Sequence, residues 1–199
     1  MNKKQLQSEQ TKKRIADAAR ALFIQKGYNA TSIEDIVKET NCSPGNIYYH
    51  FKSKEGLFLH LIEESDKEWE QQWLAKESSY ATTAEKLYAM AEYLSQEQLN
   101  HPLVKATDEF FNNSEKMSDA NERIQQLVAN YVHFNEELLQ KGMERGEFRN
   151  MDLNRLAVIM DSLLYGLSQH FRGMDQDESQ ALYRLAMDIF LYGIAEPQV

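Results

Sequence analysis

Punctuation constrains this chain more than any other feature. Its 199 residues hold only three prolines and eight glycines, and between these breakers apolar residues recur every three or four positions, the spacing that lines one face of an α-helix. Strand-like alternation is absent. The chain therefore reads as all-α, with about nine helices.

The spacing predicts a first helix from about Ser8 to Lys26, carrying Ile15, Ala18, Ala19, Leu22 and Phe23 on one stripe, with Gly27 as its stop. "YNATSIEDIVKET" restarts the pattern. Thr31 or Ser32 can cap the new helix, Glu34 or Asp35 is placed for a capping box, and Ile33, Ile36 and Val37 form a short apolar face. "NCS" ends it. Ser43 then caps a third helix, Pro44 to about His50, with proline at the first position, where a missing N–H costs nothing. Ile47 and Phe51 stand four apart and face inward, which turns Asn46, Tyr48, Tyr49 and His50 mostly to solvent. "KSKEG" opens a fourth helix with Ser53 as cap, running through Leu57, Phe58, Leu61 and Ile62 toward Trp69 and Trp73. After "SSYATT", helices follow at about Ala84 to Asn100, Pro102 to Asn113, Asp119 to Glu144, Asp152 to Arg172 and Ser179 to Ile194, separated by "NHP", "NNSEKMSD", "RGEFRNMD" and "GMDQDES".

Charge divides the chain. The formal net charge is -9. Residues 1–60 nonetheless hold 10 Lys/Arg against 6 Asp/Glu, which leaves 12 against 25 for residues 61–199. A basic segment on an acidic body points to a binding module for a polyanion. No apolar run is long enough to span a bilayer, and "MNKKQLQSEQTKKR" has no signal-peptide character, so a cytoplasmic location is expected. The single cysteine, Cys42, cannot form an intrachain disulfide and reads as a small buried apolar residue.

Two short helices joined by a tight turn, the second polar and preceded by a basic helix, describe a helix-turn-helix over residues 8–54. Such a helix meets the major groove through its N-terminal end, which would bring Ser43, Pro44, Gly45 and Asn46 to base edges, with Gly45 permitting close approach. Tyr48, Tyr49 and His50 can hydrogen-bond phosphates, and Lys52 and Lys54 supply charge beside them. The amide ends of the helices beginning near Thr31 and Ser53 offer further anion sites. A different use of the same residues remains open: Tyr48 and Tyr49 can pack on neighbouring helices, one of them partly inward, and the lysines can be a solvated patch.

At "AARALFIQKGYNATSIEDIVKETNCSPGNIYYHFKSKEGLF", Ala18 to Phe58, the chain resembles the TetR family of bacterial regulators. The Gly-Tyr turn, the Thr-Ser cap and the Gly-x-x-Tyr-x-His-Phe-x-x-Lys-Glu run stand in family order. The resemblance implies a DNA-binding transcriptional regulator: three N-terminal helices bear the helix-turn-helix, and residues 55–199 form a ligand-binding and dimerisation domain. Family members act mostly as homodimeric repressors released from operator DNA by a small molecule. Tyr48 is, by the same resemblance, the phosphate-contacting tyrosine of the pair. Further text, Glu63, Glu64, Ser65, Trp69, Gln72 and Trp73, is similar to a branch that answers to cationic drugs. That likeness implies aromatic ligand contacts at Trp69 and Tyr131, with Phe111 replacing a tyrosine and Asp66 where a glutamate meets cations. Gln98 and Val128 stand where that branch is acidic.

A pocket of aromatics and a carboxylate suits a flat or cationic ligand. Tyr88, Met90, Tyr93 and His101 fall near the same space. Trp69 fits either a pocket or a core, whereas Trp73 reads as structural. Leu153, Leu156, Ala157, Met160, Leu163, Leu164, Leu167 and Phe171, with Leu182, Leu185, Ala186, Ile189, Phe190 and Ile194, give the last two helices broad apolar stripes, fit for a four-helix dimer interface or for their own core. Catalytic motifs are absent: His50, His60, His101, His133 and His170 form no metal-ligand spacing, and there is no nucleophile elbow or phosphate loop. No enzyme activity, metal or cofactor is expected. The rival is a helical protein-interaction module without DNA binding, which would have no use for a basic head with exposed polar aromatics.

Overall fold

The computed structural model describes residues 2–100, 102–113, 121–170 and 175–194. Among them run nine helices: α1 (Lys3–Lys26), α2 (Ile33–Thr40), α3 (Pro44–Phe51), α4 (Lys54–Glu77), α5 (Thr83–Asn100), α6 (Val104–Asn113), α7 (Asn121–Glu144), α8 (Leu153–His170) and α9 (Gln176–Ile194). The all-α expectation holds. No described helix is long and apolar enough to cross a membrane.

The largest departure from the sequence expectation is the start of α1. Periodicity places it near Ser8, yet the helix begins at Lys3, because the Asn2 side chain accepts from the Gln5 amide while the Gln5 side chain accepts from the Asn2 amide, both at 2.9 Å. This box fixes the end without an apolar stripe, and the first buried residue of α1 is Ile15.

The chain packs as two compact units, Met1–Gln71 with Pro102–Gln125, and Gln72–His101 with Gln126–Val199. In the first unit the core takes Ile15, Ala19, Leu22 and Phe23 from α1, Ile36 from α2, Ile47 and Phe51 from α3, and Leu57, Phe58 and Leu61 from α4. An aromatic knot ties these to α6. Phe58 lies 4.9 Å from Phe23 and 5.0 Å from both Tyr28 and Phe110, centroid to centroid, and Tyr28 meets Phe110 edge-on at 5.0 Å. Each such ring contributes about 2–3 kcal/mol by burial, so α6 is part of the core that holds the first three helices.

Two glycines make that unit possible. Gly27 ends α1 with φ +86°, and an added Cβ would stand 2.6 Å from Glu109 Oε1 of α6. Glu109 Oε2 in turn accepts from the Asn29 amide at 2.8 Å. Gly56 lets α4 approach the end of α3 so closely that a Cβ there would lie 2.0 Å from the Phe51 carbonyl oxygen. Arg123, in the first turns of α7, donates to the Gly56 carbonyl at 3.2 Å and to Glu63 Oε1 at 2.6 Å.

In the second unit α5 packs on α9, with Leu87, Met90 and Ala91 buried on one and Tyr183, Met187, Phe190 and Leu191 on the other. Trp73 is buried, stacked on Tyr80 and edge-on to Phe134, which matches its structural reading. Lys86, 7% exposed, is held by Glu77 at 2.7 Å. The Glu147 carboxylate caps α5 through the Thr83 and Ala84 amides at 2.6 and 3.3 Å.

Candidate nucleic-acid interface

The turn between α1 and α2 is built from inside the first unit. Thr31 is buried, and its hydroxyl donates to the Gly27 carbonyl at 2.7 Å and the Leu22 carbonyl at 3.3 Å. Lys54 reaches back across the same turn, donating to the Tyr28 and Thr31 carbonyls at 3.1 Å each, with its ammonium 4.2 Å from the centre of the Tyr28 ring. Burial pulls its pKa down from the usual lysine value. Both residues were expected at a phosphate surface; their side chains are instead committed to carbonyls that would otherwise go unpaired.

Ser32, not Thr31, caps α2. Its hydroxyl accepts from the Asp35 amide at 3.1 Å and its own amide donates to Asp35 Oδ2 at 3.1 Å. With Glu34 and Asp35 in its first turn, this amide end is already served by carboxylates and is a poor anion site. At α4 the Ser53 hydroxyl accepts from the Gly56 amide at 3.0 Å. Cys42 closes the α2–α3 turn, buried, with an Arg14 guanidinium nitrogen 3.0 Å from Sγ.

The third helix is different. Ile47 and Phe51 are buried, while Ser43, Pro44, Gly45 and Asn46 are exposed, as are Tyr48 at 49% and Tyr49 at 70%. Neither tyrosine packs inward. The Ser43 hydroxyl makes no capping bond, and a Cβ on Gly45 would meet only Ser43 Oγ, at 3.8 Å. Among the described residues nothing demands glycine at that position. His50 is half-buried, edge-on to Tyr49 at 5.0 Å. Burial first, and then the charge of Lys12, hold its pKa below the ordinary histidine value. A neutral imidazole at pH 7 offers one N–H donor rather than a charge.

Lys52 follows α3 in an unusual conformation, φ 71° and ψ -44°, and the Ser53 amide donates to the Phe51 carbonyl at 2.9 Å. This is a γ-turn of the rare, positive-φ kind. It carries the exposed Lys52 side chain out of the end of α3.

A cleft of about 500 Å³ between α1 and α4 is lined by Lys13, Asp17, Arg20, Glu64, Lys67 and Glu68. Its charges pair among themselves, Lys13 with Asp17 at 2.9 Å and Arg20 with Glu64 at 3.2 Å, so it is not the aromatic site expected for a ligand. Of the expected ligand residues, Asp66 and Trp69 are half-exposed on α4, Phe111 is half-exposed on α6 beside Phe110 at 5.4 Å, and Tyr131 is 39% exposed on α7. Asp66, Trp69 and Phe111 belong to the first unit and Tyr131 to the second. His101 and Phe171 lie outside the described residues, and nothing is described of the Gln98 side chain.

Glu109, Arg123 and Lys12 carry no local sequence signal of the contacts they make. The first two act on backbone groups far away in sequence, which no local pattern announces. Lys12 shows only its place: its cationic side chain falls on the helix face that also carries the first buried residues.

Family comparisons agree with this geometry. Residues 15–61 match the description "Bacterial regulatory proteins, tetR family", and residues 65–196 match "QacR-like protein, C-terminal region". The chain is 31% identical over 185 residues to the HTH-type transcriptional regulator QacR of Staphylococcus aureus, covering 93% of this chain and 98% of that protein. It is 28% identical over 176 residues to an uncharacterized HTH-type regulator, YfiR, of Bacillus subtilis, covering 83% and 82%. A TetR-family regulator structure from Cytophaga hutchinsonii shares the fold with a TM-score of 0.75 at 20% identity, over 96% of this chain and 98% of that one. The exposed third helix, its buried anchors and the matches along both parts of the sequence lead to one conclusion: the chain belongs to the TetR family of bacterial DNA-binding transcriptional regulators.

Proposed function

We propose that this regulator is a homodimeric repressor that seats α3 of each subunit in the major groove of operator DNA and leaves it when a small molecule binds the helical body. Residues 8–54 form the DNA-binding head and residues 55–199 the ligand and dimer domain. The observation that carries the reading is α3 itself: an eight-residue helix with two buried anchors and every other position from Ser43 to Tyr49 exposed. Ser43, Pro44, Gly45 and Asn46 face base edges. Tyr48, Tyr49, His50 and Lys52 meet phosphates. Thr31 and Lys54 act indirectly, by holding the turn against which α3 is set.

The last two helices make the dimer. Leu185, Ile189 and Tyr192 are 52%, 68% and 91% exposed on α9, and Val158, Ile159 and Tyr165 are exposed on α8, while Leu156, Met160, Ala186 and Phe190 serve the core of their own unit. The stripes thus supply both a core face and an outward apolar face of the kind that pairs across a two-fold axis. Two heads are needed because one short helix reads too few bases.

Release works through the elements attached to the head. A ligand that binds one arrangement of α4 more tightly than the other shifts the dimer toward that arrangement and alters the separation of the two heads. The ties of α6 through Glu109 and Phe110, and of α7 through Arg123, support coupling by the same route. Asp66, Trp69, His101, Phe111 and Tyr131 contact the inducer, a cationic or aromatic small molecule. The protein works in the cytoplasm, where the DNA is.

A gel-shift titration of the protein against duplexes from its own upstream region tests the reading. Salt-sensitive binding that Tyr48→Phe with Lys52→Ala weakens is expected. Undiminished binding by that double variant would refute the assigned contacts.

A further inference from the structure

Beyond the first turns of α1, the basic segment of this protein carries no net charge. Residues 1–14 hold five Lys/Arg and one Glu, whereas residues 15–60 hold five Lys/Arg and five Asp/Glu. The whole positive balance of the head therefore sits at the start of α1. The cations deeper in the head are largely spent inside it: Lys26 pairs with Asp35 at 3.2 Å, Arg20 with Glu64, and Lys54 with two backbone carbonyls. Among residues 1–14, Lys13 pairs with Asp17 and Arg14 turns to Cys42. Lys3, Lys4 and Lys12 make no ion pair among the described residues.

These lysines stand on a helix that continues well past the core. Residues 3–14 contribute nothing buried, yet the Asn2–Gln5 capping box keeps them helical. The Lys12 ammonium lies 5.9 Å from the centre of the Phe51 ring, the last residue of α3, and Lys12 and Glu9 are the charges felt by His50. The early turns of α1 therefore leave the head beside the C-terminal end of α3, next to the exposed Tyr49 and Lys52. Lys4, Ser8 and Lys12 follow one another at intervals of four and share that side of the helix. The eight residues between Lys4 and Lys12 span about 12 Å of axis.

We propose that the N-terminal turns of α1 are a second DNA contact, in which Lys4 and Lys12 bind backbone phosphates beside the groove that α3 enters. The occupant follows from charge, since the positive balance of residues 1–60 lies in these turns and each lysine set on a phosphate releases counterions, and from position, since this ribbon continues the surface of α3. The inference rests on the reading of α3 as the groove-facing helix. It adds that much of the affinity, as distinct from the sequence preference, comes from the turns of α1 ahead of its buried residues rather than from α2 and α3.

The test uses the full-length protein, a duplex enriched from a random pool by the wild type, and an unrelated duplex of equal length. Affinity is measured by fluorescence anisotropy between 50 and 200 mM KCl. Lys4→Gln with Lys12→Gln is expected to make the slope of log K against log salt shallower by about one per lysine per head, and to weaken both duplexes by the same factor. Lys4→Gln alone, at an exposed position, gives about half the change in slope. Glu9→Gln, which removes the one carboxylate among residues 1–14, is expected to tighten both duplexes. Unchanged slopes in the lysine variants, while Lys52→Ala still weakens binding, overturn the second contact and leave the role of α3 intact. A loss confined to the selected duplex also overturns it, because phosphates carry no sequence. Wild-type binding that ignores salt overturns both readings.

Discussion

Lys52 joins a strained backbone to a proposed contact, and the two can be separated by substitution. At φ 71° and ψ -44° a side chain with a Cβ crowds its own backbone, and the residue is held there by the 2.9 Å bond from the Ser53 amide to the Phe51 carbonyl. Such a conformation costs on the order of 1–3 kcal/mol for a residue other than glycine. Lys52→Gly removes most of that cost, while the added freedom of the unfolded chain takes back about 0.4–1 kcal/mol. The net is a stabilisation of about 1 kcal/mol, or about 3 °C in Tm for a chain of this length. Lys52→Ala keeps the Cβ and gains nothing. In DNA binding the two variants behave alike, because each loses the same ammonium. A dimer then loses two phosphate contacts, and the salt slope falls by about 1.8. Between 50 and 200 mM salt the advantage of wild type over either variant shrinks about twelve-fold. Thermal denaturation followed by circular dichroism gives the first quantity and anisotropy on a selected duplex gives the second. A Lys52→Gly protein with the wild-type salt slope, or one less stable than Lys52→Ala, would refute the reasoning.

Three further outcomes follow from the packing. Gly56→Ala sets a methyl group 2.0 Å from the Phe51 carbonyl oxygen, and since that neighbour is backbone, a loss of about 3 kcal/mol or more is expected in urea denaturation. Glu77→Gln leaves the buried Lys86 charge without its carboxylate and should cost about 3 kcal/mol at pH 7. The hydrogen bond from Lys86 holds the Glu77 pKa below its ordinary value of 4.5, so its contribution is complete above pH 4.5 and lost as pH falls through the lower folded value; the gap between wild type and variant should close in acid. For the ligand, cationic dyes should quench tryptophan emission in wild type and in Trp73→Phe, but not in Trp69→Phe; quenching by neutral or anionic compounds alone would end the cationic-inducer proposal.

Much of the architecture was legible because breakers and caps are local. Ser43, Pro44 and the Ile47–Phe51 spacing define α3 within a few residues, and the burial of both anchors follows from that spacing alone. The start of α1 was not legible, since Lys3 to Gln7 have no apolar stripe and depend on two side-chain-to-amide bonds at Asn2 and Gln5. The inward roles of Thr31 and Lys54 were hidden for a different reason. Lys54 satisfies carbonyls 23 and 26 residues away, and a lysine beside a recognition helix has the same composition signal whether it points to phosphate or to its own backbone. Phe110 likewise looks like any apolar residue of α6, and only the fold shows that it completes the core around Tyr28 and Phe58.

Function in this protein turns on whether α3 reads duplex DNA in pairs. Selection from a random pool of duplexes by the wild-type protein measures this whatever the operator sequence is. The expected product is an inverted repeat whose half-sites lie about 34–36 Å apart, one helical turn, or a multiple of it, and whose enrichment disappears with Asn46→Ala and Tyr48→Phe combined. A folded, dimeric protein that enriches nothing over repeated rounds, or that enriches the same repeat with both substitutions in place, would contradict paired reading by α3.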